Sequence, residues 1–64
     1  MIEVDTSEFV AAKGKEPRGP GFYRFVVGNK RYSTDGNYSE CLARAKTWFK
    51  RRLRKRDFTI ILDG

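Results

Sequence analysis

The chain has no histidine, one cysteine (Cys41) and two prolines (Pro17, Pro20) among its 64 residues. One cysteine excludes an intramolecular disulfide. The lack of histidine removes a Cys/His zinc site and the commonest general base. A lone thiol fits a reducing compartment, so a cytoplasmic location is expected. The longest apolar runs are three or four residues, too short to span a bilayer, and no membrane association is expected. Met1-Ile2-Glu3-Val4-Asp5 lacks the basic start and apolar run of a signal peptide. Gly14, Gly19, Gly21 and Gly28 form no phosphate-binding loop, and Ser33 and Ser39 have no triad partner. A non-enzymatic protein with no metal and no cofactor is expected.

What is present is positive charge and aromatic rings. The net charge is +6 and the pI about 9.9; the aromatics are one Trp, three Tyr and five Phe. A basic balance favours polyanions or acidic protein surfaces as partners. Sixty-four residues make one small domain, which buries only about 60% of the surface its unfolded chain exposes. With no disulfide and no metal as a staple, the aromatics must supply much of the core.

Asn37–Arg56 reads as one basic amphipathic helix, with Asn37 as N-cap and Glu40 completing a capping box. At about 100° per residue, Cys41, Leu42, Ala45, Trp48, Phe49 and Leu53 fall in one arc. Phe58–Leu62 alternates as a strand, with Phe58, Ile60 and Leu62 on one side. Before the helix, Phe22–Val27 and Lys30–Thr34 form a hairpin about Gly28-Asn29, since glycine accepts the positive φ of a primed turn. A two-residue loop sets Val27 opposite Lys30, Phe25 opposite Tyr32 and Tyr23 opposite Thr34 on a core side. Val26 then faces Arg31 and Arg24 faces Ser33 on a solvent side.

Three Gly and two Pro in residues 13–21 predict a flexible loop. Ile2 and Val4 alternate like a short edge strand, and Thr6-Ser7-Glu8 is a turn or cap signal. Phe9-Val10-Ala11-Ala12 reads equally as strand or helical turn. The expected class is α+β: a small antiparallel sheet of three to four strands with one basic helix on one face, in the order β-β-β-α-β.

Arg44, Lys46, Lys50, Arg51, Arg52, Arg54, Lys55 and Arg56 put eight of the 14 basic residues into 13 positions. Basic residues in a last turn complement the helix dipole, which accounts for two or three of them. Like charges at i,i+4 repel by a few tenths of a kcal/mol per pair (~0.2–0.5), so the crowding points to an anionic partner. The expected nucleic-acid contacts are Arg24, Arg31, Ser33, Arg44, Lys46, Lys50, Arg51, Arg54 and Lys55, on DNA ahead of RNA. Arg24 and Arg31 suit bidentate contact with base edges or phosphates. Phe22, Tyr38 and Trp48 are candidate stacking platforms, with Trp48 read chiefly as core and Cys41 as a small buried hydrophobe.

Phe22-Tyr-Arg-Phe-Val-Val-Gly-Asn-Lys-Arg-Tyr-Ser33, followed by Ala43, Ala45 and Trp48, resembles the arm-type and AP2-like DNA-binding domains of phage integrases. The resemblance implies that the exposed sheet face enters a DNA major groove through Arg24, Arg31 and Ser33. By element order alone, the chain also looks like the small phage inhibitors of host RNA polymerase. That likeness implies the alternative of a small inhibitor seated on an acidic or nucleic-acid-binding channel of a host enzyme. A third option is a subunit of a ribonucleoprotein.

Overall fold

The computed structural model describes residues 2–63. Its elements are β1 (Ile2–Asp5), α1 (Ser7–Lys13), β2 (Pro20–Val27), β3 (Lys30–Asn37), α2 (Tyr38–Leu53) and β4 (Phe58–Leu62). The class is α+β, as expected. The four strands lie in the order β1-β4-β2-β3. The sheet is mixed, not purely antiparallel, because β1 runs parallel to β4. β2 is antiparallel to both of its neighbours, so β3 and β4 are parallel to each other. A parallel return needs a long crossover, and α2 provides it, carrying the chain past β2.

The hairpin register is the expected one throughout. Gly28 takes φ 58°, while Asn29 keeps a negative φ. Both strands run further than their apolar residues: Pro20 pairs with Asn37 and Gly21 with Gly36. Gly36 adopts φ 132°, which L side chains rarely reach, just before the chain enters α2.

That extension alters the start of α2. Asn37 is the N-cap in an extended conformation, but its side chain makes no capping bond. The orphan N–H of Tyr38 instead donates to Gly19 O at 3.0 Å, continuing the strand ladder. Glu40, expected in a capping box, lies 3.9 Å from Arg44. The helix also stops at Leu53, not Arg56. Arg54 takes the left-handed conformation (φ 54°), and its N–H donates to Lys50 O at 3.1 Å. Leu53 is the last apolar residue of the arc, so a further turn would have nothing to bury.

The 9–12 run resolves as helix. The Asp5 carboxylate accepts from Ser7 N at 2.9 Å and from Ser7 Oγ at 2.6 Å. Gly14 closes the helix in the left-handed region, its N–H donating to Val10 O. The 13–21 segment is correspondingly shorter, because Lys13 belongs to α1 and Pro20-Gly21 to β2. Pro17 is buried, and the Tyr23 hydroxyl, shared between the carbonyls of Arg18 (3.0 Å) and Gly19 (2.9 Å), tethers the connection.

The core is Phe9, Tyr23, Phe25, Cys41, Ala45, Phe49, Ile60 and Leu62. Phe9 stands 6.1 Å from Tyr23 and Tyr38 5.2 Å from it, so α1 and α2 meet the sheet through the same tyrosine. The other face carries Glu3, Asp5, Phe22, Arg24, Arg31, Ser33, Asp35 and Thr59, all exposed.

Two outcomes follow. A non-glycine residue in the left-handed region is strained, so Arg54→Gly is expected to stabilise the fold by about 0.5–1 kcal/mol, read from the denaturant midpoint. On the alkaline side, burial pushes the Cys41 thiol above its ordinary 9.0, with Arg44 opposing. Burial, with help from Tyr23 and Glu16, lifts the Tyr38 phenol above 10.0. Both groups are neutral in the fold and ionise earlier in the unfolded chain. Their stability is whole below pH 9 and drains away as pH rises through the elevated values. A pH series of thermal melts should therefore decline above pH 9. The exposed Asp5, held below 3.8 by its hydrogen bonds to the Ser7 hydroxyl and backbone N–H, acts in the opposite sense at the acid end only.

Candidate nucleic-acid interface

Burial of Cys41, Ala45 and Phe49 fixes how α2 is rotated on the sheet. Four-residue spacing makes those three a near-straight stripe, and every other side chain takes its place relative to it. Arg44, Trp48, Arg51 and Arg52, spaced by four, three and one, line the flank toward β3. Lys46 and Lys50 project from the opposite flank; Lys46 is half-buried and Lys50 exposed. The two flanks are separated by the width of the helix.

The flank toward β3 is a groove of about 490 Å³. Tyr32 and Trp48 form its apolar part, with Ala43 and Thr47 on the helix side and Arg44, Arg51 and Arg52 around it. Among the described residues no carboxylate lines it. The rings of Tyr32 and Trp48 lie 5.2 Å apart, tilted by 32°, and Phe49 meets Trp48 edge-on at 5.1 Å. The Arg52 guanidinium sits 4.8 Å from the centre of the Trp48 ring, a cation–π contact. Arg44 donates to Asp35 O at 3.4 Å, which ties the helix flank to β3.

The expected contact residues fall into three groups. Arg24, Arg31 and Ser33 do share the open sheet face, with Arg24 directly opposite Ser33. Arg44, Lys46, Lys50 and Arg51 stand on α2, across the sheet from that face. Arg54 and Lys55, expected on the helix, follow its end. One flat surface cannot use the first two groups together, because the sheet lies between them.

Charge separates the two sides. On the open face Arg24 and Arg31 are outnumbered by Glu3, Asp5 and Asp35, and Arg24 is already 3.7 Å from Asp63. On α2, Arg44, Lys46, Lys50, Arg51 and Arg52 face one acid, Glu40. Among the described residues the α2 cations make one ion pair, the exposed Arg44–Glu40 contact at 3.9 Å. Such exposed pairs are weak, and this one leaves Arg44 largely available.

Sequence reasoning missed Arg52 and Tyr32 as site residues and placed Trp48 in the core. Trp48 is partly buried and packs against the core from its rim. The signal was present in the spacing: Arg44, Trp48 and Arg52 stand at successive i,i+4 positions. Tyr32 joins them only through the β3 register. Phe22 is 62% exposed on the open face, whereas Tyr38 packs on Tyr23. Among the described residues no group of His, Cys, Asp and Glu could hold a metal ion, and no helix is long and apolar enough to cross a membrane.

No family model, no curated protein and no solved structure matches the chain.

Lys46 precedes Lys50 by one turn, so the two repel on the helix surface. Lys46→Glu replaces that repulsion by a favourable Glu–Lys pair and is expected to raise stability by about 0.5 kcal/mol. A matched denaturation curve checks it, and a loss of stability would show that the cationic crowd costs the fold nothing.

Proposed function

We propose that this chain is a non-enzymatic nucleic-acid-binding module, acting on DNA ahead of RNA in the cytoplasm, with α2 as its contact element. One observation carries the reading: α2 presents five cationic side chains against a single acid, and among the described residues only Arg44 is engaged by a carboxylate. Such a surface attracts the phosphate backbone and gains from releasing its counterions. Arg44, Lys46, Lys50 and Arg51 contact phosphates, and Arg54 and Lys55 extend the row beyond the helix end. The open face, with Arg24, Arg31 and Ser33, is secondary because its acids offset its arginines. This shifts the contact away from the sheet face that the integrase-like resemblance favours.

A second reading has its own observation. β3 is an eight-residue strand at the sheet edge, and such an edge can accept a strand from a partner protein. A small inhibitor docked on an acidic surface of a host enzyme would use this edge together with the neighbouring arginines.

The test is a titration of random-sequence duplex and single strand at two salt concentrations. Affinity is expected to fall steeply with salt, and Arg44→Ala with Arg51→Ala to weaken binding and reduce the slope of log affinity against log salt by about one per lost contact. No binding tighter than about 10 µM at low salt would end the reading, since non-specific binders commonly reach that range. A stoichiometric protein captured from nuclease-treated lysate, together with no binding of duplex or single strand, would install the second reading in its place.

A further inference from the structure

We infer that the Tyr32–Trp48 surface is a stacking site for one unpaired nucleobase, and that the Arg52 guanidinium covers it in the free protein. The inference rests on the nucleic-acid reading and sharpens it, making the preferred partner single-stranded at the point of contact.

The geometry is that of a base site with a stand-in. Tyr32 and Phe49 hold the Trp48 ring from the protein's side, at 5.2 and 5.1 Å. Arg52 is an exposed side chain whose planar cation lies 4.8 Å from the ring centre. A guanidinium over an indole occupies the place that a stacked base takes. Base–aromatic stacking is worth more than an exposed cation–π contact, so a base can displace the guanidinium. Arg52 is not wasted by the exchange. Once released it is one side chain's length from the strand whose base displaced it, where it can pair with phosphate.

The surroundings match one ligand. The groove is apolar at Tyr32 and Trp48 and cationic at Arg44, Arg51 and Arg52, with no carboxylate among the described residues of its lining. An unpaired nucleotide has the same two parts, a flat apolar ring joined to an anion. An apolar peptide would leave the arginines without partners, and an acidic peptide would leave the rings uncovered. In a duplex the bases are already stacked, so duplex reaches the cations and not the rings.

Trp48 is the single tryptophan of the sequence, so its emission reports this site alone. The full chain is titrated with a short oligodeoxythymidine, a short oligouridine and a blunt mixed-sequence duplex, while binding is followed separately by the anisotropy of a labelled strand. Single strands are expected to quench Trp48 over the same concentration range in which anisotropy rises, and duplex to bind without quenching. The two single-stranded arms tell DNA from RNA, and quenching by either supports the site. Trp48→Leu is expected to lower single-strand affinity about tenfold and leave duplex affinity unchanged. Should that variant fail to fold, Arg52→Ala serves instead: it uncovers the ring and should deepen the quench at saturation. Single strands that bind without altering Trp48 emission, or duplex that quenches equally, would overturn the base site and leave the wider reading intact. Absence of binding to all three probes would remove both.

Discussion

Burial of Cys41, Ala45 and Phe49 of α2 against Phe25, Ile60 and Leu62 of the sheet is the constraint on which the rest of the domain depends. Each of these six residues is fully excluded from solvent. In a chain this short no second core can compensate if the helix turns. Fixing the rotation of α2 also fixes the direction of every cation it carries. Arg44, Arg51 and Arg52 are sent to the β3 side, and Lys46 and Lys50 to the other. The charged surface is therefore a by-product of core packing, which sets where each cation leaves the helix.

Charge is divided by the sheet. The helix side is strongly cationic, while the open face sets Glu3, Asp5, Asp35 and Asp63 against Arg24 and Arg31. A polyanion approaching the molecule meets attraction on one side and a mixed field on the other, which orients it before contact. Total charge alone carries no such orientation. The repulsion stored along α2 is tolerable because it is exposed and because the last-turn cations Lys50, Arg51 and Arg52 complement the helix dipole.

The groove beside β3 joins the two resources that the composition supplies in excess, aromatic rings and arginines. Trp48 packs against the core from its rim, and Arg52 lies over its ring. Tyr32 belongs to the core side of the hairpin, but β3 is the edge strand, so its ring reaches the rim of the packed layer. A residue can thus belong to the core by pattern and to the surface by position.

Local pattern was sufficient for much of the fold. The hairpin register followed from a two-residue turn and period-2 alternation, which determine pairing without reference to anything distant. The buried arc of α2 followed from a 3.6-residue period, and β4 from its alternation. The crowding of cations on the helix was equally legible. Distant pairing decided the rest. That β1 joins β4 in parallel, making the sheet mixed, depends on residues more than fifty positions apart. The helix start at Asn37 was legible, but its capping box was not formed, because the Tyr38 N–H joins a strand ladder continued by Gly19; the helix end was overrun because no apolar residue beyond Leu53 could be buried. Trp48 looked like core since spacing shows only the arc a residue belongs to; where that arc meets a sheet edge is settled when Tyr32 and Arg52 arrive beside it. The sequence by itself determined the hairpin and its register, the buried arc of α2, the strand β4 and the amount of charge, which are properties of neighbours along the chain. Only tertiary structure decided which cations share a surface and which ring faces solvent, because both depend on how an amphipathic helix is seated on a sheet of finite width.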